Sequence, residues 1–161
     1  MTLTCANVDA PTELITNPDV VMLDLTASSR ESALRALHAQ LAMIPEVKDG
    51  ERFLRDLLER VMVASVCIAP DVALPHARTD AVTRIVLGVA RLAAPGVGFD
   101  GEHPNVRLMF LIGTPRQQVE GYLRLVAAIS RLLKTEGARA ALLAAPTESE
   151  FRAQLARGAV K

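Results

Sequence analysis

The chain has 161 residues, half of them hydrophobic, with 3% aromatic residues and no tryptophan. That is one ordinary domain with ample aliphatic material for a core and too few aromatic rings for a base- or sugar-stacking platform. Eighteen Lys and Arg balance eighteen Asp and Glu, which argues against a nucleic-acid or anionic-membrane binder.

Residues 1–17 are mixed and polar, punctuated by Pro11 and Pro18, and read as an N-terminal tail or loop ahead of a single domain over 18–161. Val20 to Leu25 is a short apolar run that predicts the first strand. Ser28 and Glu31 have the spacing of a capping box. Leu34, Leu37, Leu41 and Ile44 then mark one helical face, stopped by Pro45. Asp49 is an N-cap for a second helix, with Phe53, Leu54, Leu57, Leu58 and Val61 on its buried face.

Between Ser65 and Leu74 the period changes to two, predicting two extended pieces bent at Ala69-Pro70-Asp71. Ile85 to Leu92 and Val106 to Ile112 are β-branched and aliphatic runs that predict central strands. A turn-rich loop from Pro95 to Gly101 joins them. Gln117 to Lys134 predicts the longest helix, with Val119, Tyr122, Leu123, Val126, Ile129 and Leu133 on one face and Gly137 past its end. Ala138 to Ala144 is a short helix ended by Pro146. Thr147 and Glu150 form a second capping box, opening a last helix through Phe151 and Leu155 that closes near Gly158. Helices alternating with short strands predict an α/β domain, a mixed sheet flanked by helices on both faces. Met22, Met43, Met62 and Met109 lie in apolar runs and read as core filling.

The start of the chain lacks a basic segment followed by an apolar stretch, so no secretory signal is expected. The apolar runs are too short to span a bilayer. Two cysteines, Cys5 and Cys67, make neither a disulfide framework nor a paired metal spacing. A reduced, cytoplasmic protein without membrane insertion and without a nucleic-acid partner is the consistent expectation.

Of the three histidines, His38 reads as a boundary or surface residue of the first helix, and His103 as an exposed loop residue. His76 differs. It ends the run Val72-Ala-Leu-Pro-His76, and Pro75 fixes its own φ while holding Leu74 extended. A histidine is thus delivered on a defined bend at a strand end, where reactive groups are often placed. Neutral imidazole is a competent nucleophile near neutral pH. Were it to accept a phosphoryl group, guanidinium and backbone N–H groups would have to stabilise the oxygens, and Arg78 is two residues on. A structural histidine bonded to a backbone carbonyl is the alternative. Cys67 allows a thiol–imidazole pair with His76, or a Cys67–His76–Asp71 metal site, although its spacing matches no standard zinc pattern. Arg116, Arg124 and Arg131 read as a solvated face, with Glu120 and Arg124 an i,i+4 pair.

Arg60, then Ser65-Val-Cys-Ile-Ala69, then Val72-Ala-Leu-Pro-His76 follow an order and spacing that resemble the enzyme IIA domain of the bacterial phosphoenolpyruvate-dependent phosphotransferase system, in its fructose, mannitol and nitrogen-regulatory branch. Phe99-Asp100-Gly101, the strand Val106 to Ile112, Leu123 with Ile129 to Leu133, and Thr147 to Glu150 extend the resemblance over nearly the whole chain. It implies a phosphoryl carrier. His76 would accept the group from the phosphohistidine of HPr or a relative, and Arg60 would steady the oxygens. Arg78, Tyr122 and Ser65 would support the phosphate. The group would pass to a IIB domain, or the phosphorylation state would act on a regulatory target. No metal or organic cofactor is implied, and a homodimer stays open.

The chain departs from the family pattern at defined places. Tyr122 stands where a second histidine is usual, and tyrosine can donate a hydrogen bond but not carry an imidazole's charge. Cys67, Ala69 and Asp71 replace glycines that would let backbone N–H groups approach a phosphate. Val66 replaces a threonine, and Val61 the glutamate after the arginine. These departures motivate a second reading, a non-catalytic regulatory binding module on the same fold.

Overall fold

The computed structural model describes residues 13–159. Its strands are β1 (Val20–Leu25), β2 (Cys67–Ala69), β3 (Val72–Ala73), β4 (His76–Arg78), β5 (Val86–Leu92) and β6 (Leu108–Thr114). Its helices are α1 (Arg30–Leu41), α2 (Gly50–Val63), α3 (Val119–Lys134), α4 (Ala138–Ala144) and α5 (Glu148–Ala159). Cys5 lies outside the described residues. Residues 13–16, expected as tail, form a helical turn, held in place because Ile15 is fully buried.

The six strands form one mixed sheet in the order β1-β5-β6-β3-β2, with β4 also on β6. The central pair β5 and β6 is antiparallel, and β1, β3 and β4 join it in parallel. Side chains on these strands alternate between two cores. Leu108, Phe110 and Ile112 point to α3, α4 and α5, with Leu125, Ile129, Leu142, Phe151 and Leu155. Met109 and Leu111 point to α1 and α2, with Leu34, Leu37, Phe53 and Leu57. Burial on both faces explains why β5 and β6 are continuous apolar runs. The expected architecture of helices on both faces is therefore what forms.

Helix ends follow local chemistry with small offsets from expectation. The N-cap of α1 is Ser29, one residue later than expected, and its box partner is Ser32 in place of Glu31. Helix α1 ends at Leu41, so Ile44 lies in the following turn. Asp49 caps α2 by accepting from Arg52 N at 3.1 Å. Thr147 Oγ1 accepts from Glu150 N at 3.1 Å at the start of α5.

On α3 the buried stripe is Leu125, Ala128, Ile129 and Leu132. Val119 and Leu123, expected inside, are 46% and 57% exposed. The helix carries two adjacent apolar stripes, and its contact with α5 selects one: Leu132 packs against Gly158. Met109 is buried, but Met43 and Met62 are exposed, against expectation, because they lie where α1 has ended and on the outer side of α2.

Candidate phosphoryl-acceptor site

The bend at Pro75 splits what would be one strand into β3 and β4, both paired to β6. Leu74 N donates to Val66 O at 2.7 Å, and Ile112 N donates to Pro75 O at 2.9 Å. The backbone on both sides of the proline is thereby fixed, and His76 opens β4 opposite Ile112. Its ring is half-buried, with Nδ1 3.0 Å from Leu74 O. A carbonyl only accepts, so Nδ1 carries the proton and Nε2 keeps the lone pair.

A cavity of about 310 Å³ at His76 is lined by Arg60, Arg78 and Arg116, with Asp56, Glu59 and Val63. Arg60 stands in the last turn of α2, where its Nη1 lies 3.4 Å from Ala64 O. A cation there complements the helix C-terminus. Arg78 follows His76 on β4. The Tyr122 ring, reaching from α3, has its centroid 5.2 Å from that of His76, tilted by 39°.

Burial pushes the His76 pKa below its ordinary 6.5, the Leu74 bond opposes this, and the nearby Arg60 charge lowers it further. The ring is therefore neutral at physiological pH. Burial raises the Tyr122 pKa, against the pull of Arg60 and Arg78, so its hydroxyl keeps its proton and can donate. A neutral imidazole whose Nε2 keeps its lone pair, in a cavity that three guanidinium groups also line, is an arrangement for nucleophilic attack on an anionic phosphorus centre.

The structure brings His76, Arg60, Arg78 and Tyr122 together. It does not bring Ser65 to the cavity lining. The Ser65 hydroxyl donates to Asp100 Oδ2 at 2.7 Å and accepts from Cys67 N at 3.2 Å. Arg116, read from sequence as part of a solvated face, joins the cavity instead. It is 3.8 Å from Asp80, its only salt-bridge partner among the described residues. Only the fold could reveal this, because the β6–α3 turn carries it back over β4. Asp71 forms an ion pair with Arg139 at 3.1 Å and is not among the residues lining the cavity. The Cys67–His76–Asp71 cluster does not form: the ligand-capable neighbours of Cys67 are Asp100 and His103.

The other two histidines also differ from expectation. His38 is buried at 6% exposure, with Nε2 2.9 Å from Gly50 O and its ring edge-to-face with Phe53. The α1–α2 turn folds over it. His103 is half-buried, with Nδ1 2.7 Å from Asp100 Oδ1.

Residues 14–158 match the family described as "Phosphoenolpyruvate-dependent sugar phosphotransferase system, EIIA 2". The fructose-specific EIIA component of Haloferax volcanii is 31% identical over 143 residues, 88% of this chain and 92% of that protein. The 2-O-alpha-mannosyl-D-glycerate-specific EIIABC component of Escherichia coli is 27% identical over 143 residues; these cover 88% of this chain, which spans 22% of that longer protein. The fold is shared with nitrogen regulatory protein IIA-Ntr of Neisseria meningitidis at a TM-score of 0.76 and 18% identity, covering 89% of this chain and 97% of that one. It is also shared with the mannitol IIA of E. coli, solved in complex with phosphorylated mannitol IIB, at a TM-score of 0.71 and 20% identity, covering 85% and 94%.

Proposed function

The chain belongs to the EIIA 2 family of the phosphoenolpyruvate-dependent sugar phosphotransferase system, a family of phosphoryl carriers, and we propose that its reacting atom is Nε2 of His76. The observation that carries this is the bond from Nδ1 to Leu74 O, which leaves Nε2 as the lone-pair nitrogen beside Arg60 and Arg78. The donor is a phosphohistidine on an HPr-type carrier. Nε2 attacks phosphorus as the donor's N–P bond breaks, and the electron pair of that bond returns to the donor ring. One N–P bond replaces another, so little driving force is spent and the group can move on. Transfer depends on positioning and charge, since the phosphoryl oxygens carry the developing negative charge.

Each neighbour has a role in this reading. Arg60 and Arg78 bind the phosphoryl oxygens, with Arg116 as a third cation at the cavity edge. Tyr122 donates its hydroxyl in the place of the family's second imidazole. A protonated phenol contributes a hydrogen bond without a charge. Next to Tyr122, exposed Val119 and Leu123 on α3, together with exposed Val63 on α2, offer an apolar rim on which a carrier or IIB domain docks. Among the described residues no helix is long and apolar enough to cross a membrane. We place the chain in the cytoplasm, serving a IIB partner or a regulatory target.

The test is incubation with phosphoenolpyruvate, enzyme I and a phosphocarrier. One acid-labile phosphate per chain is expected, absent from His76→Ala. If the wild type takes up none while still capturing a partner, the chain is a regulatory binding module on this fold; the Tyr122 replacement is what favours that second reading.

A further inference from the structure

A second cluster of reactive side chains lies outside the His76 cavity. Cys67 opens β2, and Asp100 and His103 stand in the loop between β5 and β6. One ligand-capable atom from each, the thiol sulfur, a carboxylate oxygen and a ring nitrogen, lies within 4.8 Å of the others. All three residues are half-buried. We propose that Cys67, Asp100 and His103 form a binding site for a zinc-class divalent transition-metal ion.

The loop is held by its own hydrogen bonds. Phe99 N donates to His103 O at 2.9 Å, and His103 N donates to Asp100 O at 3.2 Å, which closes the turn between the two ligands. Ser65 Oγ and Glu102 N both donate to the Asp100 carboxylate, at 2.7 and 2.9 Å, and orient it. Such supporting bonds fix ligand geometry in metal sites. His103 Nδ1 also donates to Asp100 Oδ1, at 2.7 Å. These bonds, first from Ser65 and then from His103, hold the Asp100 pKa down to about 2, so the carboxylate is ionised at any working pH. A metal ion held by both side chains replaces the bond between His103 and Asp100, and the ring proton moves to Nε2.

The donor set selects the metal. One sulfur, one imidazole nitrogen and one carboxylate oxygen suit a borderline cation such as Zn²⁺, and three protein ligands leave a fourth tetrahedral position for water. Hard cations such as Mg²⁺ and Ca²⁺ prefer all-oxygen sets. The same geometry argues against a thiol nucleophile. Burial and the Asp100 charge push the Cys67 pKa up to about 11, so the free thiol is protonated and unreactive. A dication replaces that proton. The S–H bond breaks, its electron pair forms the S–metal bond, and the proton leaves to solvent. Arg30, whose guanidinium donates to Phe99 O at 2.9 Å, favours the thiolate through its charge. Bound metal would tie the β2–β3 hairpin, which leads into His76, to the β5–β6 loop.

The test uses the full chain stripped with a chelator and then titrated with Zn²⁺ against a chromophoric competitor, with Co²⁺ as spectroscopic probe. The expected result is one equivalent of Zn²⁺ bound. With Co²⁺, intense tetrahedral d–d bands and a thiolate-to-cobalt charge-transfer band are expected. The charge-transfer band disappears in Cys67→Ser, and Zn²⁺ binding is lost in both Cys67→Ser and His103→Ala. His76→Ala keeps all three signals. Circular dichroism establishes that each variant is folded, and a zinc-dependent rise in thermal midpoint present only in chains retaining Cys67 and His103 reports the same site independently. Absence of the charge-transfer band from the wild type overturns the proposal, as does binding that survives in folded Cys67→Ser or is lost with His76 instead.

Discussion

At His76 the backbone chooses the tautomer. Leu74 offers a carbonyl 3.0 Å from Nδ1, so the nucleophilic electron pair sits on Nε2 without help from a carboxylate. Two consequences are measurable. Because burial, then Arg60, depresses the His76 pKa, the histidine ring resonance should titrate with a midpoint below 6.5, and phosphoryl acceptance should stay level from alkaline pH down to that midpoint before falling. Arg60→Gln should move the midpoint upward, by removing a cation, and slow acceptance roughly a hundredfold, as expected for loss of one charge-stabilising donor. A midpoint that stays fixed in the variant would show that Arg60 does not face the ring. Tyr122→Phe keeps the ring beside His76 but removes the donor, and should cost about tenfold in acceptance rate. An unchanged rate would limit Tyr122 to packing.

At the scale of elements, the exposed stripe on α3 has consequences that the buried one does not. Leu123 is 57% exposed, so Leu123→Glu should leave the thermal midpoint nearly unchanged while raising the KM for the phosphocarrier. Equal kinetics for the two proteins would exclude α3 as a docking surface. Packing on the other face of the sheet is far less forgiving. A Cβ on Gly113 of β6 would stand 2.6 Å from Phe53 Cζ, inside van der Waals contact with a fully buried ring. Gly113→Ala should therefore destabilise the fold by about 1–3 kcal/mol in denaturant titration. Such close approach is what lets α2 lie near enough to the sheet to bring Arg60 over β4.

For the molecule as a whole, pH acts through two half- or fully buried histidines with lowered pKa, His38 and His76. In the unfolded chain both titrate near 6.5. Below that value the unfolded state binds more protons than the folded one, so stability is complete above 6.5 and declines as pH falls toward the folded pKa values. The free energy of unfolding should accordingly drop between pH 7 and pH 5.5, with a shallower slope in His38→Gln. Equal slopes would mean that His38 is protonated without cost inside the fold.

Much of this architecture could be read locally. Hydrophobic period, caps and proline positions marked β1, the β2–β3 bend, the central pair β5 and β6, and helices α1 to α5, because each depends on residues a few positions apart. Pro75 and the run before it singled out His76 for the same reason, and the order of Arg60, Ser65 and His76 indicated the family. Long-range choices were not legible in this way. Helix α3 has two apolar stripes, and only contact with α5 decides which is buried. Ser65 is close in sequence to the site, yet its hydroxyl is taken by Asp100, thirty-five residues away. Arg116 and Tyr122 reach His76 because parallel pairing of β4 with β6 sets the start of α3 beside it. The joining of Cys67 to Asp100 and His103 is likewise a product of sheet topology: no sequence spacing encodes it, since the three residues meet only when the β5–β6 loop folds against the start of β2.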